Sequence, residues 1–183
     1  AKGLDFEHVT LVGILNGDAL LNHSDYRCGE LTYDLLEQAS GRSGRHAKAG
    51  EVIIQAYDVS HYAILCAAKH DYRSFFVQEM SYRHLAGYPP YAYLASIVFR
   101  CKQEEEAMEC ALFYLRQLQA QRQIKVLGPA ALGKSRDEYR VRLLCKGKNP
   151  QALNTLVWGI YKQHLASHKK VMMDIDLQPL MLE

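Results

Sequence analysis

Two consecutive prolines follow a glycine in the segment 87–91 (GYPPY). Proline has no backbone N–H and pushes the preceding residue out of the helical region, so neither a helix nor a central strand can run through this segment. The segment therefore predicts a fixed boundary between two halves of the chain. We interpret it as a rigid turn between domains; a hairpin that recognises a peptide or wedges DNA is the less favoured interpretation.

The half before this boundary has the pattern of a parallel α/β unit. Residues 8–15 and 51–57 are apolar and β-branched, which is typical of buried strands, and residues 30–38 carry apolar side chains at helical spacing. A strand, a helix and a strand in this order predict a parallel sheet covered by helices. A helical pattern over residues 60–85 then leads to the boundary.

The half after the boundary has the order β-α-β-β-α-β, which is that of a ferredoxin-like domain. The tryptophan of its second helix, Trp158, is expected to pack in the core rather than to stack on a base. The predicted strands are 93–101, 124–127, 139–146 and 171–177, the predicted helices are 104–121 and 151–165, and residues 128–138 are predicted to be a loop. We therefore expect an α/β chain divided into residues 1–58, a helical connector 59–91 and a ferredoxin-like domain 92–183.

Composition places the chain among ordinary globular proteins, because 49% of its 183 residues are hydrophobic and 23% are charged. No apolar run reaches the length of a membrane span, so no membrane partner is expected. The chain opens AKGLDF, without Met, and a strand-like run follows almost at once. We interpret this start as a cut through a longer protein rather than as a processed or tagged terminus.

The five cysteines stand singly and their number is odd. This usage argues against a disulfide framework and predicts a reducing compartment, the cytoplasm. The eight histidines show neither HxH nor HExxH spacing, so no metal site is expected.

Positive charge is concentrated in residues 125–170, which hold ten Lys or Arg against two acids. Such an excess suits a phosphate backbone, since each neutralised phosphate releases counterions. A solvated face that keeps the domain soluble explains the same excess.

Within this region, Arg140 and Arg142 alternate along a predicted strand and should share one face of the sheet. We predict that they contact DNA together with Lys134 and Arg136 of the preceding loop, with Tyr139 as a stacking surface. An exposed basic strand face with the tyrosine in the core is the alternative.

After the first predicted helix the sequence reads Q-x-x-G-R-x-x-R, formed by Gln38, Gly41, Arg42 and Arg45. A glycine C-cap followed by arginines is favourable for helix termination alone, which is one interpretation. Guanidinium groups also hold phosphate oxygens bidentately and keep their charge, which suits phosphoryl transfer. Residues 40–50 contain no acid that would neutralise the two arginines.

These stretches, AKGLDF…VTLVGILN and QASGRSGR, resemble motifs V and VI of a superfamily 2 helicase. Five further stretches narrow the resemblance to the C-terminal part of the PriA family of replication-restart primosomal helicases, over essentially the whole chain. They are GEVIIQAYDVSHYAI, HDYRSFFVQEMSYR, GYPPY, VLGPAAL…YRVRLL and DIDLQPLML.

The resemblance implies an ATP- and Mg²⁺-dependent 3′-to-5′ DNA helicase that recognises stalled forks, binds branched and single-stranded DNA, and works with primosome proteins and single-strand-binding protein. Residues 1–58 would then end the second RecA-like motor lobe, and residues 92–183 would bind DNA. The resemblance places Gly3 and Asp5 in motif V, at the ATP and DNA interface, and implies that Lys2 contacts the DNA backbone. It implies nucleotide binding for Gly41 and catalysis for Gln38, Arg42 and Arg45. The two arginines would be fingers that reach a nucleotide bound on the neighbouring motor lobe.

The chain departs from the family's pattern in several places. Ser40 and Ser43 replace alanines, and Leu177 follows Asp176 where the family commonly has proline. No GxxxxGK[ST] loop and no DEx[DH] box occur in the sequence, and the family's zinc-binding cysteines would lie upstream of residue 1. We therefore expect this chain alone to lack ATPase activity. A stand-alone module that binds nucleic acid or a primosome partner is the alternative.

Overall fold

The computed structural model describes residues 9–41, 50–167 and 170–182. The chain has two compact units, Ala1–Tyr82 and Arg83–Glu183. One contains a two-stranded parallel sheet and the other a four-stranded antiparallel sheet, which confirms the mixed α/β class. The division falls inside a helix, Tyr72–Ala86, shortly before GYPPY; the expected three-part division stays a prediction.

The first unit is built on a short parallel strand pair, and the predicted strand-helix-strand order is confirmed. Strands β1 (Leu11–Ile14) and β2 (Glu51–Ile54) align along their whole length, from Leu11 opposite Glu51 to Ile14 opposite Ile54. Its core holds Tyr33 stacked on Phe75, with ring centroids 4.3 Å apart. The elements are β1 (Leu11–Ile14), a 3-10 helix (Ala19–Asn22), α1 (Cys28–Ser40), β2 (Glu51–Ile54), α2 (Tyr62–Ala68) and α3 (Tyr72–Ala86).

Strand β2 is shorter than predicted, because it ends at Ile54 rather than at Tyr57. The backbone N–H groups of Tyr57 and Asp58 donate to the carboxylate of Asp18, at 2.8 and 3.0 Å, instead of to a neighbouring strand. A buried carboxylate thus takes the donors that a longer strand would have used.

The predicted helical stretch 60–85 is two helices, α2 and α3. His70 between them has a φ of 55°, which no helix accommodates. Asp71 then accepts a hydrogen bond from the backbone N–H of Ser74, at 3.0 Å, and so caps α3.

The second unit has the predicted element order β-α-β-β-α-β. Its strands are β3 (Tyr93–Cys101), β4 (Ile124–Ser135), β5 (Glu138–Gly147) and β6 (Met172–Leu177). They pair in the order β4-β5-β3-β6, and every neighbouring pair is antiparallel. Three glutamates occupy the first turn of helix α4 (Glu104–Gln119), where the helix dipole favours them. The elements are β3 (Tyr93–Cys101), α4 (Glu104–Gln119), β4 (Ile124–Ser135), β5 (Glu138–Gly147), α5 (Pro150–Ser167) and β6 (Met172–Leu177).

The core of this unit lies between one face of the sheet and the two helices. Alternate residues of β3 and β5, such as Phe99, Val141 and Leu143, are fully buried there against α4 and α5. Side chains alternate along a strand, so Arg140, Arg142 and the other even-numbered residues of β5 point to the opposite face.

The predicted loop 128–138 is wrong, because β4 and β5 continue through it to a two-residue turn. Arg136 and Asp137 form that turn with φ of 50° and 66°, the backbone of a type I′ hairpin. The register of β4 shifts between Leu127 and Ala130 and again before Lys134. These irregularities interrupt the alternation by which a strand is recognised in a sequence.

Candidate nucleic-acid interface

The β4–β5 hairpin brings all five predicted DNA-binding residues of the second unit into one region, which we call the basic hairpin (residues 134–142). Lys134 belongs to β4, so the loop predicted for it is wrong, whereas Arg136 does lie in the turn between the strands. Lys134 lies directly opposite Tyr139, and its Nζ is 5.6 Å from the centre of that ring. Its ion pair with Asp137, at 3.3 Å, is highly exposed and adds little stability.

Arg140 and Arg142 share one face of the sheet, as the alternation predicts, and both are half-buried. Arg140 donates from Nη2 to the carbonyl oxygen of Leu132, at 3.2 Å. Its Nε and the Nη1 of Arg142 are buried without a hydrogen-bond partner in the described part of the chain. Buried guanidinium donors without acceptors are costly, so an anion that reached them would be bound favourably.

Burial lowers the pKa of Arg142, and the nearby phenol of Tyr88 opposes that shift. An arginine keeps its proton at any physiological pH despite such a shift. The basic hairpin therefore carries a permanent charge that its surroundings solvate poorly.

Tyr139 does not join the two arginines, because it lies on the other face of β5. Its neighbours in that face are Lys134 and Cys101, both directly opposite it in register. The five residues therefore form two clusters separated by the sheet, with Arg136 at the exposed tip, rather than one ridge.

Arg100 is a central part of this region that the sequence did not reveal. It lies directly opposite Arg140 and donates to two carboxylates, those of Asp174 and Glu138, the latter at 2.6 Å. The hydrogen bond to Asp174 is the main cause of a raised pKa of Arg100. These acids come close to the arginines only through the register of the strands. They neutralise the charge of Arg100, whereas Arg142 has no carboxylate partner among the described residues.

The first unit places Gln38 and Gly41 at the end of α1. Gln38 is exposed, and Gly41 is the C-cap residue, whose N–H donates to the carbonyl oxygen of Glu37 at 3.0 Å. Its φ is −65°, so the cap does not require a glycine. The remaining predicted residues of motifs V and VI lie outside the described residues: Lys2, Gly3, Asp5, Arg42 and Arg45.

The structure also corrects the predicted core position of Trp158. It is 47% exposed on α5 and contacts only the edge of Tyr161 among the described rings, with centroids 5.5 Å apart. The expected core position is wrong because Leu153, Val157 and Ile160 form the buried face of α5, and residue 158 points away from it.

No helix in the described ranges has both the length and the apolar character to cross a membrane. Within the same residues, His, Cys, Asp and Glu side chains form no group of three or more that would hold a metal ion.

Comparison with known proteins identifies the family. The profile of the family described as Primosomal protein N C-terminal domain matches residues 84–180, which include the whole four-stranded sheet. The chain belongs to this family. The match covers nearly all of the second unit, and the predicted resemblance to the C-terminal portion of PriA proteins is confirmed.

Curated relatives extend the similarity to the entire chain. The replication restart protein PriA of Bacillus subtilis is 41% identical over 100% of this chain, which spans 23% of that protein. The PriA proteins of Synechocystis and Borreliella burgdorferi are 34% and 33% identical over the whole chain, which spans 22% and 28% of their lengths. Among solved structures, the de novo designed protein Foldit4 matches 48% of this chain with 15% identity and a TM-score of 0.41, too low to define the fold.

Proposed function

We propose that this chain is the C-terminal part of an ATP-dependent 3′-to-5′ DNA helicase that recognises stalled forks and restarts replication with primosome proteins and single-strand-binding protein. The similarity to three replication restart proteins over the whole chain, at 33–41% identity, is the observation that carries this proposal. The chain spans about a quarter of those relatives, so the motor activity belongs to the longer protein.

In that longer protein, residues 1–58 are proposed to end the second RecA-like motor lobe, and residues 59–91 to form a helical connector. Gly3 and Asp5 are then proposed to lie at the ATP and DNA interface and Gly41 to help bind the nucleotide, while Gln38, Arg42 and Arg45 act in hydrolysis; the Mg²⁺ that the reaction needs is held outside this chain. Charged forked side chains suit the developing charge of a transferred phosphoryl group. The chain alone is proposed to bind no ATP productively, since its sequence has no Walker loop, and any zinc belongs to an upstream segment.

The second unit is proposed to be a ferredoxin-like domain that contacts DNA through the basic hairpin. The strand order β4-β5-β3-β6 with both helices on one face supports that fold. The unpartnered donors of Arg140 and Arg142, close in sequence to the exposed Arg136, support the contact with phosphate.

Fluorescence anisotropy of this chain with a labelled three-way fork tests the hairpin. The double variant Lys134→Gln with Arg136→Asn removes two exposed charges, and asparagine tolerates the positive φ of position 136. We expect about tenfold weaker binding and a salt dependence reduced by roughly one unit of slope per lost contact.

The matched control removes two charges elsewhere on the same unit, with Lys102→Gln and Lys162→Gln, both exposed. Its affinity should stay within about twofold of the wild type. Equal losses in both double variants would mean that net charge alone drives binding, and the hairpin would lose its assignment.

A module that docks a partner protein is the second candidate, favoured by the exposed apolar face of α5. Trp158 and Leu165 are seven residues apart, hence on one helix face, and are 47% and 62% exposed. Tryptophan is over-represented in the energetic centres of protein interfaces. Fork binding that is insensitive to salt and unchanged in the hairpin variant would favour this candidate.

A further inference from the structure

A groove of about 620 Å³ opens in the second unit at the end of the sheet opposite the hairpin turn. It is lined by the end of α3 and the residues after it, by the segment that leads into β4, and by the end of β5. Five basic side chains line it and no Asp or Glu of the described residues does: His84, Arg122, Lys125, Lys146 and Lys148.

Two of these lysines are held against each other by the sheet. Lys125 of β4 and Lys146 of β5 are direct cross-strand partners, an arrangement in which like charges destabilise the pair. In the ranges that the structure describes, no carboxylate forms an ion pair with either lysine or with Arg122. The fold therefore keeps an unfavourable concentration of positive charge at this groove.

Lys146 is the buried member of the pair, with 6% of its surface exposed. Its ammonium group donates to the carbonyl oxygen of Ala86, at 3.0 Å, and lies 3.3 Å from the ring centre of Tyr88. These contacts fix the position of the charge but do not neutralise it. Burial, with a further contribution from the charge of Lys125, lowers the pKa of Lys146 to about 8.

The groove also offers an aromatic surface. Tyr91 lines it and is 42% exposed, and the ring of His84 contacts it at near-perpendicular geometry with centroids 4.8 Å apart. A fixed, open ring beside a row of cations is the combination by which proteins hold single-stranded nucleic acid, with bases on the ring and phosphates on the cations.

We propose that this groove is a second nucleic-acid site, which binds the phosphate backbone of a single strand through Arg122 and Lys125, attracts it further by the charge of the buried Lys146, and stacks a base on Tyr91. The guanidinium of Arg122 suits bidentate contact with a phosphate. The groove and the basic hairpin lie towards opposite ends of β5. Lys146 is four positions from Arg142, about 14 Å at the rise of an antiparallel strand, and eight positions from Glu138 beside the turn.

The test uses the same chain and a labelled oligothymidylate in a salt titration. The variant Arg122→Gln with Lys125→Gln changes two exposed side chains and leaves the buried Lys146 in place. We expect about tenfold weaker binding, and a salt slope lowered by roughly 1.4 because each phosphate contact on a single strand contributes about 0.7. The control variant Lys102→Gln with Lys162→Gln should stay within about twofold of the wild type.

Tyr91→Ala separates stacking from charge. Its affinity for the oligothymidylate should fall roughly fivefold or more while the salt slope stays at the wild-type value. A groove variant that binds the oligothymidylate as tightly as the control overturns the proposal.

Two competitors distinguish other anions. Displacement of the oligothymidylate by inorganic pyrophosphate at equal phosphate concentration would identify a small-anion site and overturn the proposal. The proposal would also be overturned if the groove variant no longer bound an Asp- and Glu-rich peptide but still bound the oligothymidylate normally, since the groove would then be a protein-binding surface. Unchanged fork binding in the hairpin variant bears on the hairpin alone and leaves the groove result standing.

Discussion

At the scale of a single residue, Lys146 shows that this unit holds a positive charge at a position that is unfavourable for its folding stability. Its side chain is buried, its cross-strand partner is another lysine, and its pKa of about 8 lies well below the ordinary 10.5. Between these two pH values the unfolded chain binds more protons at this residue than the folded chain. The stability contributed by this site therefore rises with pH through that window.

The variant Lys146→Met tests this linkage. The free energy of unfolding of the wild type, measured in urea from pH 8 to 10.5, should rise relative to that of Lys146→Met as the lysine loses its proton. Subtracting the variant's curve removes the contributions of the other titrating groups. A difference between the two curves that does not change with pH would show that Lys146 has an ordinary pKa.

Strand β4 shows at the scale of an element how irregular backbone is built into an edge. Gly128 has a φ of 115°, and a Cβ there would lie 2.6 Å from the carbonyl oxygen of Arg142. Pro129 follows, at an irregularity of an edge strand, which is where a sheet tolerates proline. These residues shift the register and so determine which side chains of the basic hairpin meet across the two strands.

Gly128→Ala should therefore destabilise the second unit by about 1–3 kcal/mol, the usual cost of a strained backbone conformation. Gly159→Ala is the matched control, because that glycine lies within α5 with nothing within 4 Å of its Cβ position. It should stabilise the unit by about 0.5–1 kcal/mol. Urea unfolding measures both, and a Gly128→Ala variant as stable as the wild type would contradict the close approach.

The sequence predicted β3 at its observed bounds, Tyr93–Cys101, because a proline boundary precedes it and most of its residues are apolar, several of them β-branched or aromatic, without glycine or proline. It failed for β4, where Gly128, Pro129 and Gly133 interrupt the alternation. The candidate site followed the same division. Alternation along the strand correctly placed Arg140 and Arg142 on one face of the sheet. Three other features depend on the register between strands, which no local sequence pattern records: the pairing of Tyr139 with Lys134, the acids around Arg100 and the Lys125–Lys146 pair.

At the scale of the whole molecule, we expect the two units to have different roles in a replication restart protein. The first unit contributes residues to the motor lobe, and the second unit binds DNA. Purified alone, the chain should show no ATPase activity, with or without fork DNA. In the longer protein, Arg45→Ala should abolish ATP turnover and leave nucleotide binding largely intact, because an arginine finger acts on the transition state.

Steady-state ATPase rates and nucleotide-binding titrations of that variant measure the two effects separately. Lys48→Ala, which removes a charge from the same stretch outside the Q-x-x-G-R-x-x-R pattern, is the control. Turnover that survives Arg45→Ala would remove the finger assignment, and hydrolysis by the isolated chain would contradict its proposed inactivity.

The most direct test of the central claim is to map the amide chemical-shift changes of this chain while fork DNA is added. The account predicts that the shifts cluster in the second unit, at residues 134–142 and around the groove residues 122–125 and 146–148, and that they weaken as salt is raised. Shifts confined to α5 around Trp158, or no shifts in well-folded protein, would contradict it, and the basic surfaces would then have no role in holding DNA.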